Sequence, residues 1–362
     1  MKRLYAGLLV IVLAGCSLSN REQGVSPPHE QEPTQETFPV MAIEPQTWIE
    51  NLDIPWSMTK KGNIMYISER KGAVVKFNET EQTMERQNLS LAKKLHLEGE
   101  GGFLGFVLSP DFPEKPYAYA YYTFKEKETI YNRVILMEQT GNRWIEKSVL
   151  LDRIPGAKFH NGGRLKIGPD GMIYVTTGDA LSPEIAQNRK SLGGKILRMT
   201  QDGLIPKDNP FPNSYVYSYG HRNPQGLAWN EKGTLYSSEH GQSAHDEINR
   251  IQPGQNYGWP FIQGDEQAKG MVTPLFHSGT NTWAPSGISY HQGKLYAATL
   301  AGSRILAFDL EKMKAATVFD NGGRMRDTLV ESDHLYFISN NRDGRGVPAE
   351  NDDRLYRLSL KE

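Results

Sequence analysis

His160 opens the run His160-Asn161-Gly162-Gly163-Arg164, and Asp179 closes Thr177-Gly178-Asp179. Imidazole exchanges a proton near neutrality without large perturbation, which makes His160 the natural general base. A carboxylate at Asp179 would fix its tautomer and raise its basicity. Arg222 and the neighbouring pair Arg324 and Arg326 lie far apart in sequence, yet both precede a short apolar run. Guanidinium groups grip carboxylates and carbonyls bidentately, so three at one place point to an anionic ligand. The segment Glu239–Glu247 joins a glycine turn to side-chain and main-chain oxygens, the donors calcium takes. It lacks the alternating acids of an EF-hand, and Glu239-His240 lacks the second histidine of a zinc helix. Each feature also has a bland reading: a turn histidine, surface arginines, a charged turn.

These residues need elements that bring them together. A phrase recurs along the chain: a turn residue, a spacer, an apolar residue, Tyr, then a β-rich run. Its tyrosines are Tyr66, Tyr119, Tyr174, Tyr236, Tyr296 and Tyr336, spaced 53, 55, 62, 60 and 40 residues apart. Each is preceded by a shorter apolar strand, as in Leu104–Leu108, Leu165–Ile167 and Gly226–Trp229. A repeat of roughly 40–60 residues is what the blades of a β-propeller give. Six units predict an all-β, six-bladed propeller, closed by Arg354–Leu358 against the segment near Thr47–Asn51. The alternative, two β-sandwich domains, does not usually repeat one phrase six times. In a propeller the segments entering the first strand of every blade open on one face. Glu100, His160, Arg222, Arg324 and Arg326 occupy that phase, and Asp179 returns to it at the end of the next strand.

Composition narrows the partners. The 41 Lys and Arg against 42 Asp and Glu give a net charge of −1. With no basic patch or stripe, nucleic acid is not expected as a partner. The 35 Gly and 21 Pro suit a turn-rich β chain rather than a helical bundle. Lys2 and Arg3 precede an apolar run to Leu13 that is too short to span a bilayer. Leu13-Ala14-Gly15-Cys16 then resembles a bacterial lipobox. The expectation is a signal peptide over 1–15, lipidation (palmitate-type acylation) at Cys16, a Ser-, Pro-, Glu- and Gln-rich tether over 16–46, and the propeller over 47–362. The protein would sit outside the cytoplasm on the cell membrane, held by lipid alone. Cys16 is the only cysteine, so no disulfide supports the fold.

The motifs Gly99–Gly105, His160–Leu165, Gly168–Gly171, Gly193–Arg198, Gly220–Gly226 and Asn256–Pro260, in that order, resemble the glucose/sorbosone dehydrogenase family. That family consists of six-bladed quinoproteins that oxidise aldoses with pyrroloquinoline quinone (PQQ) and calcium. The resemblance implies His160 as catalytic base and Asp179 as the acid orienting it. It implies quinone contacts from Arg222, which would polarise the reacting carbonyl, and from Asn223, with Gln225 nearby. Arg324 and Arg326 would bind the cofactor's carboxylates, and the main-chain carbonyls of Gly241 and Gln242 would hold calcium. A sugar would be the substrate, and an external acceptor would reoxidise the quinone.

Two positions depart from the family's glucose enzymes. Glu100 stands where they carry a cofactor-contacting glutamine, and Ala301 where they carry a lysine. A cation lost and an anion gained predict weaker quinone binding. They also motivate another reading, a non-catalytic propeller lipoprotein that binds a sugar, wall polymer or protein. A hydrolytic propeller is a further alternative, although no Ser-x-Asp-x-Gly-x-x-Trp turn repeats here.

Overall fold

The computed structural model describes residues 44–361; the signal segment, Cys16 and the tether up to residue 43 lie outside the described residues. Among the described residues, twenty-four strands form six four-stranded antiparallel blades. The first strands are β2 (Pro55–Lys61), β6 (Phe103–Leu108), β10 (Leu165–Ile167), β14 (Pro224–Trp229), β18 (Pro285–His291) and β22 (Met325–Glu331). Neighbouring blades meet in chain order, β2 with β6, β6 with β10, β14 with β18 and β18 with β22; β22 then contacts β2 and closes the ring. The only helix in this part of the chain is a single 3-10 turn, Pro183–Ala186.

Closure follows the expected route. The N-terminal β1 (Gln46–Ile49) pairs with β24 (Leu355–Ser359), which continues the last blade through β23 (His334–Ser339) to β22. One joint was not foreseen. The outer strands of the first two blades, β5 (Thr83–Ser90) and β9 (Arg143–Pro155), pair in parallel over Asn88–Ser90 and Arg143–Ile145, fusing those blades into one eight-stranded sheet.

The core lies between blades rather than within them. In β11 (Ile173–Thr177) all five residues are buried, because a middle strand is covered on both faces by neighbouring blades. One apolar cluster joins Trp56, Leu104, Leu165, Val175 and Leu197; the next joins Tyr174, Ile196, Leu227 and Leu235. The recurrent tyrosines are thus interblade packing groups. Near the axis the strands crowd: a Cβ at Gly105 would overlap the Gly163 carbonyl, and one at Gly287 the Asp327 carboxylate. Glycine at these points lets six strands converge.

Candidate active site

The connections entering β6, β10, β14 and β18 converge on one face, as the repeat phase requires. There Glu100, Phe159, His160, Arg222, His240, Gly241, Gln242, Asp246 and Arg345 line an open cavity of about 220 Å³.

His160 is held from three directions. Its backbone is in the left-handed region (φ 60°), a conformation that costs a non-glycine residue free energy and needs support from its surroundings. Asn161 supplies that support: its amide bonds both the N–H and the C=O of Ala157, and Tyr121 donates to the Asn161 carbonyl at 2.8 Å. The end of β11 then passes beside the turn. A Cβ at Gly178 would overlap the His160 carbonyl, so glycine there permits the approach. Asp179 follows, with Oδ1 2.8 Å from His160 Nδ1 and Oδ2 accepting from Trp259 Nε1 at 2.8 Å. An ionised carboxylate that takes its hydrogen bond from Nδ1–H leaves Nε2 as the basic nitrogen. Nε2 makes no hydrogen bond to the described residues, and His160 lines the cavity.

Arg222 stacks over Trp259 at 5.3 Å and reaches the His240 and Gln242 carbonyls at 3.3 and 3.5 Å. Its backbone N–H is bonded by Glu239 Oε1, whose other oxygen lies 2.8 Å from His221 Nδ1. His221 is fully buried between Glu239 and Ser218 and stacked on Tyr257, so it is structural. Asn223, Gln225, Arg324 and Arg326 do not line the cavity; they form a buried or half-buried layer connected to it. Asn223 accepts from Gly162 N–H at 3.0 Å, and Arg326 donates to Gln225 Oε1 at 2.8 Å. Arg324 pairs with buried Asp343 at 3.1 Å. Burial pushes Arg326 down to about 9, which leaves it cationic at neutral pH.

Glu100 is the anion whose presence predicted weak quinone binding. Its carboxylate accepts from Arg345 Nη1 at 3.1 Å and from the His160 N–H at 3.1 Å. Burial alone would raise its pKa; the positive groups around it, Arg345 foremost, outweigh that and bring it down to about 2. The charge is neutralised in place. Arg345 was missed by the sequence reading, although a signal existed. It lies in the loop that leaves β23, as Asp179 lies in the segment that leaves β11, so the segments leaving second strands also reach this mouth. His240, also missed, is pushed down to about 4 by burial and is neutral.

The donor set fits a polyoxygenated anion. Arg222 Nε, Asn223 Nδ2, Arg324 Nε, Arg326 Nε and His240 Nε2 are buried without a hydrogen-bond partner. Buried polar atoms seldom stay unpaired. Of these residues Arg222 and His240 line the cavity, and Asn223, Arg324 and Arg326 add polar and positive groups in the layer behind it, surroundings that suit a molecule bearing carboxylates and carbonyls. For a cation the donors are less complete. Among the described residues no three His, Cys, Asp or Glu side chains cluster as metal ligands. Asp246 is spent on main-chain and hydroxyl donors, Gly241 N–H, Trp283 N–H, Ala284 N–H and the Thr282 hydroxyl. Gly241 and Gln242 line the cavity, and the Gln242 carbonyl accepts from Arg222 at 3.5 Å.

Relatives agree with this architecture. A match to the quinoprotein glucose dehydrogenase B of Acinetobacter calcoaceticus has 38% identity over 214 residues, 51% of this chain and 45% of that protein. The PQQ-bound aldose sugar dehydrogenase of Streptomyces coelicolor superposes with a TM-score of 0.81 at 36% identity, covering 87% of this chain and 96% of that one. A putative oxidoreductase (glucose dehydrogenase) of Thermus thermophilus gives 0.81 at 39% identity over 88% and 100%. The Glucose / Sorbosone dehydrogenase family model matches residues 52–356, from just before the first blade to the closing strand, and the chain belongs to that family.

Proposed function

We propose that the protein is a PQQ-dependent dehydrogenase of aldose-type sugars with His160 as general base. The observation that carries this reading is the His160–Asp179 pair at 2.8 Å, set at a cavity whose surrounding layer holds unpaired buried guanidinium and amide nitrogens. PQQ, when bound, supplies the two-electron acceptor for the substrate's hydride. Arg222, Asn223, Arg324 and Arg326 would hold its oxygens, and the Gly241 and Gln242 carbonyls would hold a calcium ion beside it.

The chain's own part is positioning and proton transfer. His160 Nε2 accepts the proton of the sugar hydroxyl whose carbon is oxidised. The imidazolium that results is stabilised by Asp179, which Trp259 keeps in place; such a base contributes about 10²–10⁴-fold. Arg222, braced by Trp259 and Glu239, keeps a fixed positive charge where negative charge develops. An external acceptor would take the electrons onward, and lipidation at Cys16 would keep the enzyme at the outer face of the membrane.

Titration of the full chain with PQQ, with and without calcium, followed by absorbance and calorimetry, tests the reading. We expect calcium-dependent one-to-one binding and aldose-dependent dye reduction that His160→Ala abolishes while the quinone stays bound. Absence of binding at micromolar PQQ would favour a non-catalytic sugar- or polymer-binding propeller, and undiminished turnover by His160→Ala would remove the base.

A further inference from the structure

The inner strands leave a second opening at the other end of the channel, where β2, β10, β14, β18 and β22 finish. Two cavities of about 150 and 370 Å³ lie there, and both are lined by Lys166, Leu329 and Val330. Trp229 and Tyr290, half-buried, wall the larger one. Trp56, near the start of β2, has the Arg164 guanidinium 4.3 Å and that of Arg326 5.9 Å from its ring.

Charge is unevenly matched in this region. Lys60 is bound by Glu331 and by Glu79. Arg164 has Asp327 Oδ2 2.9 Å from Nη1, which balances its charge, yet both its terminal nitrogens are buried without a hydrogen bond. Lys166 has neither a hydrogen bond nor an ion pair with any described residue, although burial lowers its pKa. Lys166 is half-buried and lines both cavities, so its ammonium, without an internal partner, is open to an anion or water there.

We propose that this far mouth is a second binding site, for a small organic carboxylate of the sugar-acid type, with Lys166 pairing the carboxylate. One free ammonium matches one carboxylate; a phosphate or diphosphate calls for several convergent donors. The Trp229 and Tyr290 rings offer apolar faces to the carbon chain. The site is separate from the cavity at His160 and does not depend on a bound quinone.

Calorimetric titration of the full chain with gluconate, acetate and inorganic phosphate tests it. Gluconate should bind, Lys166→Met should weaken it at least about tenfold, and Lys166→Arg should keep it within about threefold. His160→Ala should leave the affinity within about twofold, which separates this site from the sugar cavity. In the unmodified protein, gluconate should also change the fluorescence of Trp229, a signal lost in Trp229→Phe, so the test does not depend on the Lys166 variants folding. No gluconate response at about 10 mM, Lys166→Met binding as well as the unmodified protein, or phosphate binding as tightly as gluconate would each overturn the assignment.

Discussion

Glu100 and Arg345 stand 245 residues apart in the chain and 3.1 Å apart at the mouth of the cavity. Through its other oxygen Glu100 also holds the backbone of His160. The carboxylate that looked unfavourable for a quinone therefore links a compensating cation to the backbone of His160, the proposed base. Asp343 extends the array, with Arg324 at 3.1 Å and Arg345 at 3.5 Å.

Removing Arg345 alone should leave Glu100 facing an anionic cofactor. Arg345→Ala is expected to weaken PQQ binding by about 10–100-fold, the cost of losing a charged partner. Adding Glu100→Gln should recover most of that loss. Calorimetry on the four proteins of the cycle checks it, and an additive double variant would show that the two side chains act independently.

The same pair predicts acid behaviour. Glu100 sits near 2 in the folded protein against an ordinary 4.5, so the folded state binds its proton less readily than the unfolded chain. Its contribution is complete above about 4.5 and disappears as pH falls toward 2. Allowing for the solvent-exposed side of Arg345, this amounts to about 2 kcal/mol. Urea unfolding between pH 6 and pH 3 should show Glu100→Gln with a shallower loss of stability than the unmodified protein.

In the proposed mechanism Asp179 acts through the imidazole of His160, which it contacts at 2.8 Å. Asp179→Asn, which can stabilise the wrong tautomer of His160, should lower kcat by about 10²–10⁴-fold. Trp259→Phe, which leaves Asp179 Oδ2 without its donor, should cost less, about tenfold. Quinone affinity measured by absorbance should be little altered by Asp179→Asn, and a parallel loss of affinity would assign Asp179 to binding.

Lys195 is fully buried and donates to the carbonyls of Ile185, Ala186 and Gly193 at 2.8, 2.9 and 2.6 Å. It gathers the loop that follows Asp179. Lys195→Met removes all three bonds and should destabilise the protein by about 3–5 kcal/mol. Thermal unfolding reads this directly, and a change within error would mean water replaces the ammonium.

Much of this architecture was legible in the chain. Strands and turns are local: a turn residue, an apolar residue and a tyrosine recur in each unit, and interblade packing uses those same apolar residues and tyrosines. The phase of the repeat placed Glu100, His160 and Arg222 at one mouth, and Asp179 behind His160, because every first strand enters from the same face. Charge pairing was not legible. Arg345 meets Glu100, and Asp343 gathers arginines, only after the ring closes through β1 on β24. The parallel joint of β5 with β9 likewise depends on how two blades tilt against each other. Sequence by itself determined six repeating units, the entry points of their inner strands and the residue types at the mouth. Tertiary structure decided which charges neutralise one another, because that energy depends on separations of a few ångströms between groups that no local pattern relates.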